Sequence, residues 1–141
     1  MNLKEKLEIL RVKNKYETFR GNKDVTVISA DEMTDKERAA LELTHKKEAI
    51  STDRINLTAN YEKCLFWTEK KIKPFVNDDL KVIIVEGKNL VFLVIVEVKI
   101  FLEDFFNNKD SFSISLINRH LHKLIVIYKT EYYLEFFEID I

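Results

Sequence analysis

The sequence has little glycine or proline: Gly21, Gly87 and Pro74 are all it holds in 141 residues. A Walker loop, a dinucleotide fingerprint and a nucleophile elbow each need several glycines, for close backbone approach or positive φ, so these chemistries are excluded. Cysteine is equally scarce. Cys64 stands alone, cannot form an internal disulfide, and fits a reducing cytoplasmic setting. Long apolar runs are missing too. The longest, Leu90 to Val96, falls far short of the ~18 residues that suggest a membrane-spanning helix. The N-terminal MNLKEKLEIL alternates charge with leucine and lacks the apolar centre of a signal peptide. Charge of one sign is also lacking. With 23 bases, 24 acids and a net charge of −1, the chain has no global field to gather nucleic acid or an anionic membrane, and neither is expected as a partner.

What remains is a folded composition, 46% apolar and 33% charged, in a length that suits one domain with its own core. Residues 1–75 read as a mainly helical half. Residues 3–19 place Leu3, Leu7, Leu10, Tyr16 and Phe19 at near-helical spacing, and Gly21 offers a stop. Residues 24–29 read as a short strand or connector. Thr34-x-x-Glu37 is a capping-box pattern opening a helix to about Ile50, with Ala39, Leu41 and Leu43 as its apolar residues. Ser51-Thr52-Asp53 offers a fresh N-cap for a helix carrying Leu57, Tyr61, Cys64, Leu65 and Ile72 and stopping before Pro74. With Phe66 and Trp67 widening its apolar face, that helix is expected to pack most deeply on the sheet.

Residues 80–141 read as strands: 82–86, 90–101, 111–117, 124–128 and 132–139. Phe112, Ile114 and Leu116 alternate inward along the third. The expectation is a single α+β domain, 1–141, with two or three N-terminal helices on one face of a four- to five-stranded antiparallel meander. The stretch LVFLVIVEVKIF, residues 90–101, is its central strand, apolar on both faces through Val96.

Glycine at the first central position of Glu86-Gly87-Lys88-Asn89 predicts a type II′ hairpin, with Glu86 opposite Asn89. Extended down both strands, that register sets Asp78 opposite Glu97, with Lys99 on the same face. Paired carboxylates can hold a hard divalent cation, and a lysine can neutralise developing charge. Over about residues 62–99 this resembles the Asp…Glu-x-Lys core of the PD-(D/E)xK nuclease superfamily. The resemblance implies a metal-dependent nuclease on Asp78, Glu97 and Lys99, with Glu62 or Glu69 as a further acid from the preceding helix.

Other constellations read as structure. His120-x-His122 could offer two imidazoles on one strand face, but a zinc site needs further ligands, and only His45 and Cys64 remain. Cys64 lies on the apolar side of its helix and reads as a small core residue. The clusters His45-Lys46-Lys47 and Lys70-Lys71-Ile72-Lys73 have acidic neighbours and read as solvated helix faces. No cofactor or metal is assigned. The C-terminal strand says more. Tyr132, Leu134 and Phe136 alternate with Tyr133, Phe137 and Ile139, and acids are interspersed. One set can join the core, and the other needs a second layer or a partner. Rings supply anchors and charges supply steering. Tyr132, Tyr133, Glu135, Phe136, Phe137, Glu138 and Asp140 are therefore the candidate contact residues, and Glu131 adds a further acid suited to a basic partner. In general character the chain looks like small bacterial immunity or inhibitor proteins that bind a toxin or effector. The leading expectation is thus a non-catalytic cytoplasmic binding module for another protein, and the nuclease is the alternative.

Overall fold

The computed structural model describes residues 1–45, 51–57, 60–107 and 113–141. Among these residues the chain forms four α-helices: α1 (Leu3–Glu17), α2 (Asp35–His45), α3 (Tyr61–Ile72) and α4 (Val98–Asn107). Seven strands accompany them: β1 (Asn22–Ser29), β2 (Asp53–Asn56), β3 (Lys81–Glu86), β4 (Asn89–Ile95), β5 (Ile114–Asn118), β6 (Lys123–Lys129) and β7 (Tyr133–Asp140). No helix among the described residues is long and apolar enough to cross a membrane. Residues 46–50, which the sequence reading placed at the end of the second helix, and Ser111 and Phe112 lie outside the described residues.

The strands form one open antiparallel sheet in the order β1-β4-β3-β5-β6-β7-β2. The hairpin at Gly87 follows its sequence closely. Glu86 pairs with Asn89 and the same register runs to Lys81 opposite Val94, with Gly87 at φ +58° as the turn requires. The expected four- to five-stranded meander needs correcting on three counts. The sheet has seven strands, because residues 22–29 form an edge strand and Asp53–Asn56 forms the other edge instead of a helix N-cap. The helix then begins later, and Asn60 caps it by accepting from the Lys63 backbone N–H at 2.9 Å. Between β4 and β5 the chain also leaves the sheet through α4 and returns beside β3, so the order is not a plain meander.

The third correction concerns the layers. Val82, Ile84, Val91, Leu93 and Ile95 face one core, closed by Val12 and Tyr16 of α1, Leu65 and Ile72 of α3, and Phe101, Leu102, Phe105 and Phe106 of α4. Ile83, Leu90, Ile117, Leu124, Val126 and Phe137 face a second core, closed by Ala40 of α2 and by Met33 just before that helix. Helices therefore cover both faces, as strands apolar on both sides demand. α4 buries Phe101, Leu102, Phe105 and Phe106 and α3 buries Cys64, Leu65, Thr68 and Ile72, so both helices pack deeply, while Phe66 of α3 is exposed. The sequence leading into α4 competes between two periods. Residues 96–101 alternate like a strand, but Phe101, Leu102, Phe105 and Phe106 share one helix face, and burying them together wins. α2 starts as its capping box predicts: Thr34 N–H donates to Glu37 Oε1 at 3.0 Å, and Glu37 N–H donates to Thr34 Oγ1 at 3.1 Å. Ala39 and Leu43 of this helix are exposed, and its buried apolar residue is Ala40.

Gly21 decides where β4 ends. Its carbonyl accepts from the Val96 N–H at 2.7 Å and the Glu97 N–H at 3.0 Å, turning the chain into α4. Its φ is +80°, and a Cβ there would lie 2.6 Å from the Glu97 carbonyl oxygen and 2.9 Å from the Phe101 nitrogen, both backbone atoms. Gly21→Ala should therefore destabilise the protein by more than about 2 kcal/mol, read as a lower urea midpoint. A midpoint equal to that of the wild type would show that this junction does not constrain the fold.

Candidate functional site

The hairpin register holds, but the two acids do not meet on strands. β3 begins at Lys81 and β4 ends at Ile95. Asp78 instead sits in an exposed turn, where the Asp79 N–H donates to Asn77 Oδ1 at 2.7 Å and the Leu80 N–H donates to the Asn77 carbonyl. Glu97 stands at the start of α4, its carbonyl accepting from the Phe101 N–H at 3.0 Å, and Lys99 lies on the exposed side of that helix. Glu62 is exposed and Glu69 half-buried on α3. Among the described residues no three His, Cys, Asp or Glu side chains group closely enough to hold a metal ion.

His120 and His122 lie in the β5–β6 turn rather than on a strand face, His122 at φ +56°. Asn118 shapes this turn: its side chain accepts from the Leu121 N–H at 2.8 Å and donates to the Phe75 carbonyl at 2.7 Å. Cys64 is buried on α3, and desolvation raises its thiol above the ordinary value, the opposite of what an activated nucleophile needs.

The seven C-terminal residues split three ways. β7 is an interior strand, between β6 and β2. Phe136 and Phe137 are buried, one in each core, and cannot meet a partner. Glu138 and Asp140 both pair with Lys123 of β6, Glu138 at 3.1 Å. Tyr132, Tyr133 and Glu135 gather at the β6–β7 hairpin tip, where Tyr132 is 64% exposed. Tyr128 joins them, 42% exposed and directly opposite Glu135. Tyr133 and Glu135 share a face with Tyr128, while Lys129, opposite the buried Leu134, projects from the other face. Arg54 of β2 pairs with Glu135 in register and stacks on the Tyr133 ring at 4.2 Å. Hairpin pairing makes Tyr128 a member of this group, so strand register could have revealed it in the sequence.

A second exposed surface escaped the sequence reading altogether. Leu3, Leu7 and Leu10, which share a near-helical spacing with Tyr16 and Phe19, are exposed on α1. The residues that anchor α1 are Val12, Tyr16 and Phe19, with Ile9 half-buried beside them. Lys15 and Tyr16 also reach Glu86 on β3, donating at 2.8 and 2.6 Å. Burial, followed by the Glu86 charge, pushes the Tyr16 phenol far above its usual range, so it remains a neutral donor. Just beyond the same C-terminal end of α1, Arg20 clamps Asp104 of α4 through its backbone N–H at 2.6 Å and its guanidinium at 2.8 Å.

A cleft of about 490 Å³ is lined by Thr34, Glu37, Arg119, His122 and Ile141. Two of the charges in its wall, Glu37 and Arg119, are matched to each other. Glu37, only 2% exposed, receives two guanidinium bonds from Arg119 at 2.8 and 3.0 Å besides the Thr34 bond. Arg119 in turn lies over the Phe92 ring at 5.6 Å. The arrangement ties α2 to the β5–β6 turn and spends its polar groups on structure. Comparison with family models, with curated proteins and with solved structures returned no match to this chain.

Desolvation alone would raise the Glu37 carboxyl, but the bonds from Arg119 and Thr34 outweigh it and hold the group below the ordinary carboxylate value. A depressed folded value means stability that is present above the unfolded value, about 4.3, and is lost as pH falls through the folded one. Arg119→Ala should cost about 1–3 kcal/mol at pH 7, because it strips a buried carboxylate of its partner. The deficit should shrink towards pH 4, because in the variant desolvation raises the unpartnered Glu37 and lets it protonate, while the wild-type carboxylate stays ionised. Urea unfolding at both pH values checks this, and an equal deficit at both would contradict it.

Proposed function

We propose that this protein is a non-catalytic protein-binding module of the immunity or inhibitor type, which contacts a basic partner through the β6–β7 hairpin tip. The observation that supports this reading is the gathering of Tyr128, Tyr132 and Tyr133 at an exposed turn, with Glu131 and Glu135 beside them. Tyrosine brings large contact area with few rotatable bonds, so ordering it at an interface costs little entropy. The tip is also held stiffly: the Thr130 N–H donates to the Tyr133 carbonyl at 2.8 Å, and the Tyr133 N–H returns a bond to Thr130 Oγ1 at 3.1 Å. A rigid presenting loop lowers the cost of association. Glu131 and Glu135 supply the charge that would steer a basic partner. The contact set is narrower than the whole C-terminal strand, since Phe136 and Phe137 belong to the cores.

The alternative, a metal-dependent nuclease on Asp78, Glu97 and Lys99, has less support, because a helix start rather than a strand end places Glu97 and Lys99. Co-expression with a panel of cationic bacterial toxin domains separates the two. Protection of the host cells by the wild-type chain is expected. Tyr132→Ala with Glu135→Lys should abolish it by weakening the complex about tenfold or more, while Glu97→Ala leaves it intact. No protection by the wild-type chain, or Mg²⁺-dependent cleavage of nucleic acid that Glu97→Ala removes, would overturn the proposal.

A further inference from the structure

α1 carries two apolar faces. Val12, Tyr16 and Phe19 point into the core, while Leu3, Leu7 and Leu10 are 71%, 56% and 52% exposed. At about 100° per residue the two sets lie on opposite sides of the helix. Leu3 and Leu7 are one turn apart and Leu10 follows on the next, so they make a continuous row. Single exposed leucines are ordinary, but an aligned row on a packed helix marks an interaction face. The row is bordered by bases. Lys6 and Lys13 flank one side, and Lys4 and Arg11 flank the other. Arg11 is partnered by Glu8 at 2.6 Å, while Lys4, Lys6 and Lys13 make no ion pair among the described residues.

We infer that this face of α1 docks an acidic amphipathic helix of a partner protein. Charge selects the occupant. In a second copy of this chain, bases would oppose bases in either helix orientation, because both borders of the row are basic. A broad anionic bilayer would bring Glu17, which continues the row, and Glu8, beside Arg11, against lipid phosphate. A narrow helix can cover residues 3–13 alone. Its own leucines would pack between Leu3, Leu7 and Leu10, and its acids would lie along Lys4, Lys6, Arg11 and Lys13. The face goes beyond the hairpin tip in both place and charge. α1 packs on β1, at one edge of the sheet, and four strands separate β1 from β7.

The test uses the full chain and two designed helical peptides. Both carry leucine at a and d, one with glutamate and the other with lysine at e and g. Fluorescence anisotropy should show the glutamate peptide binding at least about tenfold more tightly, with affinity falling as salt rises. Replacing Leu3, Leu7 and Leu10 with glutamine should abolish binding. Lys4→Glu, Lys6→Glu, Arg11→Glu and Lys13→Glu together should reverse the preference. Tyr132→Ala should leave binding unchanged, which keeps this result independent of the hairpin tip. Failure of the wild-type chain to bind the glutamate peptide, or equal binding of both peptides, would overturn the inference. So would adsorption to phosphatidylserine vesicles in preference to the peptide, or concentration-dependent dimerisation lost on replacing the leucines.

Discussion

Strands apolar on both faces must be covered on both, and that constraint shapes the rest of this protein. β3 and β4 send Val82, Ile84, Val91 and Leu93 one way and Ile83 and Leu90 the other. An uncovered face of this kind would expose a large apolar patch, so the chain supplies α1, α3 and α4 to one side and α2 to the other. The covers are then fastened by charge. Arg119 holds Glu37 of α2 at 2.8 Å, Glu86 holds Lys15 and Tyr16 of α1, and Arg20 ties α1 to Asp104 of α4. The buried pair fixes position more than it adds net stability, since desolvation offsets much of its attraction.

Where local rules suffice, the sequence was legible. Gly87 set the hairpin and its register, Thr34 and Glu37 set the start of α2, and the alternation of Ile114 and Leu116 set the inward face of β5. Where two patterns compete, it was not. Residues 96–101 satisfy the strand period, and only the burial of Phe105 and Phe106 one turn further on selects the helix. The same error misplaced the candidate metal site, because Glu97 and Lys99 were assigned to a strand that ends at Ile95. Edge strands were hard for another reason. Asp53–Asn56 has only Ile55 to hint at pairing, and its partner β7 is about 80 residues away in the chain.

On α1, helical spacing alone does not say which side meets the sheet. Leu3, Leu7 and Leu10 are spaced as a buried row would be. Yet Ile9, Val12, Tyr16 and Phe19 form a second row, and only one of two opposed rows can face the sheet. Aromatic and β-branched residues fill the gap beside Phe101 and Phe105, with ring centroids 5.0–6.4 Å apart among Tyr16, Phe19, Phe101 and Phe105. That leaves the leucines outward. A chain that covers a two-faced sheet so fully, while leaving a leucine row and a tyrosine tip in water, holds apolar surface beyond what its own fold uses.

The claim that this surface is surplus to folding is tested most directly by urea unfolding of two variants. One replaces Leu3, Leu7 and Leu10 together with glutamine, and the other is Val12→Ala on the opposite side of the same helix. The leucine variant should lose no more than about 0.5 kcal/mol per site, as surface positions do, whereas Val12→Ala should lose about 2 kcal/mol to a cavity. A leucine variant as unstable as Val12→Ala, or more so, would place the row in the core and contradict the account.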